Sequence, residues 1–246
     1  MPRGFVVTGT DTDVGKTMTT AALALWLRHA GLDLAPMKPT QTGASRDAGG
    51  LWHAPDLDYT LGMLGLDPDP AERVLMQPFC FEPACSPHLA AAPGETPPSV
   101  AAIAAAAAAL AARHAAIVVE GAGGLMVPLN GSEMMIDLFA ALALPVVLVG
   151  RAGLGSINHV LLSLEALTAR RIPVLGVVLN ETRPQDPADA FIRADNPRTI
   201  TRFSGVPCLG ALPFIPEPTP ARLLSAAQAL PGLAAAFAPL LQGVAP

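Results

Sequence analysis

A chain of 246 residues with 51% hydrophobic and 14% charged side chains can bury a sizeable core, which excludes disorder and suits one α/β domain over residues 1–246. A formal net charge of −5 argues against a general nucleic-acid surface. Cys80, Cys85 and Cys208 have no metal-ligand spacing and an odd count, so they read as reduced structural thiols. The N-terminus shows no basic-then-apolar leader. The best apolar run, residues 134–150, contains Asp137 and Pro145 and reads as a helix followed by a strand. A cytoplasmic protein without a membrane partner is therefore expected.

The first element is a buried strand, Gly4 to Thr8, running directly into GTDTDVGKT at 9–17; a helix rich in Ala and Leu follows from Met18 to His29. Strand, glycine-bearing loop, Lys-Thr and helix form the layout of a phosphate-binding P-loop. Gly15 lets the backbone approach phosphate oxygens, and the helix N-terminus favours an anion. Lys16 supplies a mobile charge for the β- and γ-phosphates, and the Thr17 hydroxyl suits Mg²⁺. The spacing is a variant: the strict pattern puts its first glycine where Thr10 stands, and here the glycine is Gly9.

Leu32 to Met37 reads as a second strand, stopped by Pro39 and Gly43, so that Lys38 and Thr42 leave its C-terminal end. Ligands bind at that end of open α/β sheets, although a surface lysine is the plain alternative for Lys38. From Asp56 the spacing of DLDYTLGMLGL is helical, and Asp56 is either a capping carboxylate or a metal ligand. Residues 67–98 are proline-rich and read as irregular, with Ser86-Pro87-His88 more often structural than catalytic in such a setting. Ser99 to His114 is an alanine-rich crossover helix. Ile117 to Val119 forms a short strand, and Glu120-Gly121-Ala122-Gly123-Gly124 leaves its end, placing a carboxylate where nucleotide folds hold a Mg²⁺-related acid. Further strands are expected at 145–150, 173–179 (ending in Asn180) and 206–212 (ending in Pro213-Phe214-Ile215). Further helices are expected at 156–170 and 221–241, the latter interrupted at Pro231 and Pro239. Apolar strands alternating with helices predict a single-domain, doubly wound, mainly parallel sheet of the P-loop NTPase type.

In combination these motifs resemble the dethiobiotin synthetases. The resemblance rests on GTDTDVGKT, Lys38-Pro39 with Thr42-Gly43, Asp56, Ser86-Pro87-His88, EGAGG at 120–124, LGSINH at 154–159, Asn180, and Pro213-Phe214-Ile215. It implies an ATP- and Mg²⁺-dependent ligase that joins CO₂ to 7,8-diaminopelargonate and closes a cyclic urea through a carbamate and a carbamic-phosphoric anhydride. The implied roles follow residue by residue. Lys16, Lys38 and Thr12 serve catalysis, and Thr17, Asp56 and Glu120 surround Mg²⁺. Asp13, Val14, Gly15, Lys16, Thr17, Met18, Glu120, Gly121, Ala122 and Gly123 contact ATP. Asn180 reads the adenine edge, and Pro213, Phe214 and Ile215 line the base pocket. Thr42, Lys38, Gly155 and Asn158 contact the diamine, the last two across a homodimer, with Asn158 against the distal carboxylate.

Asp58 lies close enough to Asp56 to compete as the metal ligand. The usual proline two residues before Ser86 is Ala84 here, with Pro83 shifted by one. Two other readings are open. A related P-loop amidoligase would continue into a glutaminase unit with a nucleophilic cysteine. A partition-type ATPase switch usually carries a second lysine in the loop, where this chain has Asp11 to Asp13.

Overall fold

The structure is a computed structural model describing residues 3–91, 94–184 and 186–242. In chain order, β1 (Gly4–Gly9), α1 (Lys16–His29) and β2 (Leu34–Met37) come first. Next are the short strands β3 (Thr40–Thr42), β4 (Ser45–Arg46) and β5 (Trp52–His53), then α2 (Pro55–Leu64) and α3 (Pro70–Met76). β6 (Phe79–Phe81), α4 (Pro87–Ala90), α5 (Val100–Ala111), β7 (Ala116–Gly124) and α6 (Met135–Leu142) follow. The chain continues through β8 (Val146–Arg151), α7 (Ser156–Ala169), β9 (Val174–Asn180), a 3₁₀ turn at Pro187–Asp189 and α8 (Ala190–Ser204). It closes with β10 (Cys208–Leu212), α9 (Pro220–Gln228) and α10 (Leu233–Leu241).

Six strands form one parallel sheet in the order β10-β9-β8-β1-β7-β2. Successive side chains of a strand point to opposite faces, and here both faces are dry. Val6, Ile117, Val119, Val146 and Leu148 join one core, packed by side chains of α5, α6, α7 and α8. Phe5, Val7, Val118, Val147 and Val149 join the other, packed by α1, α9 and α10. Burial on both faces is why these strands read as unbroken apolar runs. Phe5 meets Phe237 of α10 edge to face, ring centroids 4.8 Å apart at 76°. Parallel strands bring all their C-terminal ends to one rim, and β1 sits there between β7 and β8 with its P-loop.

Local chemistry sets the helix starts. Ser99 caps α5 by accepting from the Ala102 N–H at 3.3 Å, and Thr219 caps α9, with Pro220 at its first position. Several expectations need correction. Residues 67–98 are not simply irregular: they hold α3, capped by Asp69 through the Glu72 N–H at 2.8 Å, then β6, paired with β3, and the turn α4. β7 continues through Gly124, so EGAGG extends the strand instead of leaving it. Pro239 lies inside α10 without interrupting it. No single described helix is long and apolar enough to cross a membrane. Cys80, Cys85 and Cys208 are free thiols, and burial pushes the Cys80 thiol pKa up to about 11.

Candidate active site

The loop from β1 to α1 has a strained, glycine-dependent path. Asp13 and Gly15 take left-handed backbone, φ 57° and 93°. A Cβ on Gly15 would lie 1.9 Å from Nδ2 of Asn180, the last residue of β9. That amide donates to the Val14 carbonyl at 3.0 Å, so Asn180 pins the loop from the side. A Cβ on Gly9 would meet Cγ2 of Val14 at 2.6 Å, which explains a glycine at this variant position. Lys16, at the first turn of α1, is buried and donates to the Asp11 carbonyl at 2.9 Å. Its pKa is lowered by burial first, and then by the nearby charge of Lys38. From the end of β8, Arg151 donates to the Thr12 carbonyl at 3.3 Å and stands 3.5 Å from the Asp11 carboxylate.

One strand over, four side chains from four elements meet. Lys38 follows β2 and is 4% exposed; its Nζ lies 2.7 Å from Glu120 Oε1 and 2.6 Å from Asp56 Oδ2, and donates to the Gly121 carbonyl at 3.2 Å. Thr17 Oγ1 donates to the same Glu120 Oε1 at 2.8 Å. Burial works against the charged form of Lys38, but Glu120 and Asp56 outweigh it and hold its pKa above the ordinary lysine value. For Asp56 burial likewise opposes charge, and Lys38, helped by hydrogen bonds from Thr17 and Gln41, holds the carboxyl below the ordinary range. Gly121 packs so that a Cβ there would strike Phe139 Cζ at 2.8 Å.

A cleft of about 690 Å³ opens over this cluster and the P-loop; Lys16, Thr17, Lys38, Thr42, Asp56 and Glu120 line it. Thr12, Asp13, Gly15, Ala122 and Gly123 complete the same wall, while Val14 is buried behind the loop and Met18 half-buried on α1. Asp58 points elsewhere: it pairs with Arg73 and lies 3.6 Å from Nδ1 of His53. Asn180 and Asp13 border a second cleft of about 930 Å³, and Oδ1 of Asn180 is buried with no partner among the described residues. Pro213, Phe214 and Ile215 line a third cleft of about 710 Å³ with Arg222 and Ser225. The two are neighbours along the rim, since the Glu181 N–H donates to the Leu212 carbonyl at 3.0 Å. Gly155 and Asn158 are exposed and line none of these clefts.

Three contributors escaped sequence reasoning. Gln41, 5% exposed, accepts from the Asp56 N–H at 3.3 Å and donates to the Thr42 carbonyl at 2.9 Å, tying two site residues together. Its place between Lys38 and Thr42 was the available signal. Arg151 stood in sight at the end of an expected strand. Asn196, whose Nδ2 donates to the Ala152 and Gly153 carbonyls at 3.2 and 3.0 Å, gave no signal because its helix was not expected. Ser86 and Pro87 line the main cleft, and Ser86 Oγ lies 3.0 Å from Nδ1 of His88.

The donors fit a magnesium ion in kind: one hydroxyl and two carboxylates, all hard oxygens. Among the described residues no three His, Cys, Asp or Glu side chains cluster as a metal cage. Such an ion would therefore share its shell with phosphates and water, as magnesium usually does in nucleotide sites.

A six-stranded parallel sheet with a P-loop at its central strand, two lysines and an acidic pair in one cleft define a P-loop nucleotide-dependent protein. A family model described as an AAA domain matches residues 3–222. The chain is 43% identical over 226 residues to the ATP-dependent dethiobiotin synthetase BioD of Anaeromyxobacter sp. (strain K), covering 87% of this chain and 92% of that one. It is 39% identical over 218 residues to the BioD of Pseudomonas aeruginosa (strain UCBPP-PA14), covering 88% and 92%. The MinC:MinD cell division complex of Aquifex aeolicus matches with a TM-score of 0.59 at 15% identity over 96% of each chain, a likeness of fold alone. The chain belongs to the ATP-dependent dethiobiotin synthetases, a family of ligases in biotin biosynthesis.

Proposed function

We propose that this chain forms dethiobiotin from 7,8-diaminopelargonate, CO₂ and ATP, with Mg²⁺, as a cytoplasmic homodimer of single-domain subunits. The observation that carries the reading is Lys38, buried against the carboxylates of Glu120 and Asp56 and facing the same cleft as Lys16 and the P-loop. One substrate amine takes up CO₂ as a carbamate. A carbamate oxygen attacks the γ-phosphorus and ADP leaves, giving the mixed anhydride. The second amine attacks the carbonyl carbon, the C–O bond breaks with its electron pair going to the departing phosphate, the amine's proton passes to that phosphate, and the urea ring closes.

This sequence asks the protein mostly for charge neutralisation and alignment. Lys16 and the N–H groups of the loop and first turn of α1 hold the β- and γ-phosphates. Lys38 offsets the negative charge that develops between carbamate and phosphoryl group, with Thr12 and Thr42 orienting the substrate along the cleft. Magnesium, held by Thr17, Asp56 and Glu120, supplies further neutralisation of the phosphates when bound. Asp13, Val14, Gly15, Met18, Gly121, Ala122 and Gly123 make up the rest of the nucleotide contact surface. The unpartnered Oδ1 of Asn180 supports contact with an exocyclic amine of the base, with Pro213 to Ile215 on the neighbouring rim. Exposure of Gly155 and Asn158, and of Leu154 at 90%, supports an outward-facing segment that serves a partner's substrate carboxylate.

The test is ATP turnover by the purified protein with the diamine and bicarbonate, each omitted in turn. ADP release is expected only with the full set, together with a cyclic urea product. Equally fast hydrolysis without the diamine would replace this reading with a switch-type ATPase.

A further inference from the structure

We propose that Lys38 is a resident counter-ion that holds the cation seat of the site and must be displaced for a divalent metal to enter. The inference rests on the assignment of Thr17, Asp56 and Glu120 to magnesium made above. Two of those groups already hold one ammonium, and the third bonds one of the two. Nζ of Lys38 sits 2.6 Å from Asp56 Oδ2 and 2.7 Å from Glu120 Oε1, and the Thr17 hydroxyl bonds that same Oε1 at 2.8 Å.

Two features make this an exchange instead of a simple ion pair. Lys38 and Glu120 are 4% and 2% exposed, so removing the ammonium would leave a buried carboxylate without a counter-charge. Magnesium binds oxygen at about 2.0–2.1 Å, and a dication that close to Oε1 and Oδ2 repels an ammonium bonded to the same atoms. One seat therefore serves two cations in turn. The lysine stem is flexible, and the cleft that Lys38 shares with Lys16 and Thr42 lies open beside it. The displaced ammonium thus arrives where the carbamate and phosphoryl group meet, and metal entry and the delivery of Lys38 become one event. A further consequence is that metal and nucleotide bind cooperatively, because the phosphates offer the released lysine new anionic partners.

The experiment titrates Mn²⁺ into nucleotide-free protein at pH 8 and reads free Mn²⁺ by electron paramagnetic resonance. Lys38→Met keeps the length of the side chain and removes its charge, and should bind Mn²⁺ at least tenfold more tightly than the native protein. Lys38→Arg keeps the charge and should stay as weak as the native protein. Equal affinity in the native protein and in a folded Lys38→Met would overturn the proposal. Should Lys38→Met fail to fold, ¹⁵N-lysine NMR of the native protein decides. The Lys38 ammonium signal should shift or vanish with Mg²⁺ and a non-hydrolysable ATP analogue, and an unmoved signal sinks the idea. Asp56→Asn separates the two layers. If it leaves Mn²⁺ binding in the presence of ADP unchanged, the metal assignment falls and the exchange with it. If it weakens that binding while Lys38→Met tightens nothing, the exchange alone falls.

Discussion

Gly15 is caught between two requirements, a left-handed backbone and an amide from another strand. Alanine in that backbone costs roughly 1–2 kcal/mol, and its Cβ would fall on Asn180 Nδ2, which must then release the Val14 carbonyl. Gly15→Ala is therefore expected to weaken ATP binding by tenfold or more in a calorimetric titration, with the circular dichroism spectrum unchanged. Affinity within twofold of native would mean that the loop shape matters less than the space suggests. The P-loop itself was legible because its residue types are dictated by phosphate chemistry and local backbone geometry. The choice between Asp56 and Asp58 was not. Two residues apart on a helix they point to different faces, and which face meets the site depends on Leu57, Thr60 and Leu61 packing inward, a tertiary fact. Arg73, fifteen residues further on, pairs with Asp58 instead.

Among the elements, α3, α5 and the turn before β2 are tied by one imidazole. His114, just past α5, has Nδ1 3.1 Å from Asp33 Oδ1 and Nε2 on the Glu72 carboxylate of α3. Burial opposes its protonation, but Glu72 and Asp33 outweigh it and raise the pKa above the ordinary histidine value. A folded-state pKa above the unfolded one adds stability that is fully present below about pH 6.5 and is lost as pH rises through the raised value. For a partly solvated pair this is worth about 0.5–1 kcal/mol. His114→Gln should accordingly lower the urea unfolding free energy by about that much at pH 6 and by far less at pH 9. A loss independent of pH would assign His114 to packing alone. The apolar strands and the alanine-rich α5 could be read from sequence, because pattern and propensity agree there. α3 and α8 could not. The first starts on a proline inside a proline-rich stretch, and the second carries Pro197 in its interior and buries only Asn196 and Ile200. The cap of α3, Asp69 with Glu72 three residues on, is a local signal lost among the surrounding prolines, whereas α8 has no side-chain cap at its start and depends on docking, which no short window displays.

At the scale of the whole molecule, the site is assembled on one rim from the ends of β1, β2, β7 and β9 and the start of α2. Gly155 and Asn158 stand outside it. If they serve a partner, Asn158→Ala should raise the KM for the diamine by an amount equivalent to about 1.5–3 kcal/mol while the KM for ATP stays near normal. Mixing Asn158→Ala with Lys16→Ala subunits then gives dimers with one doubly damaged and one intact site, so part of the activity should return. Subunit exchange without recovery would confine residue 158 to its own chain. The contact of Phe5 with Phe237 carries a different consequence, one of timing. The strand that ends in the P-loop and the helix α10 that packs on it are separated by more than two hundred residues of chain. Closing so long a loop is slow beside the local packing of α1 on the same face, so the ring pair forms late in folding. Phe237→Ala is therefore expected to speed unfolding far more than it slows refolding in a urea chevron, and an effect confined to the refolding limb would instead place the contact in the folding nucleus.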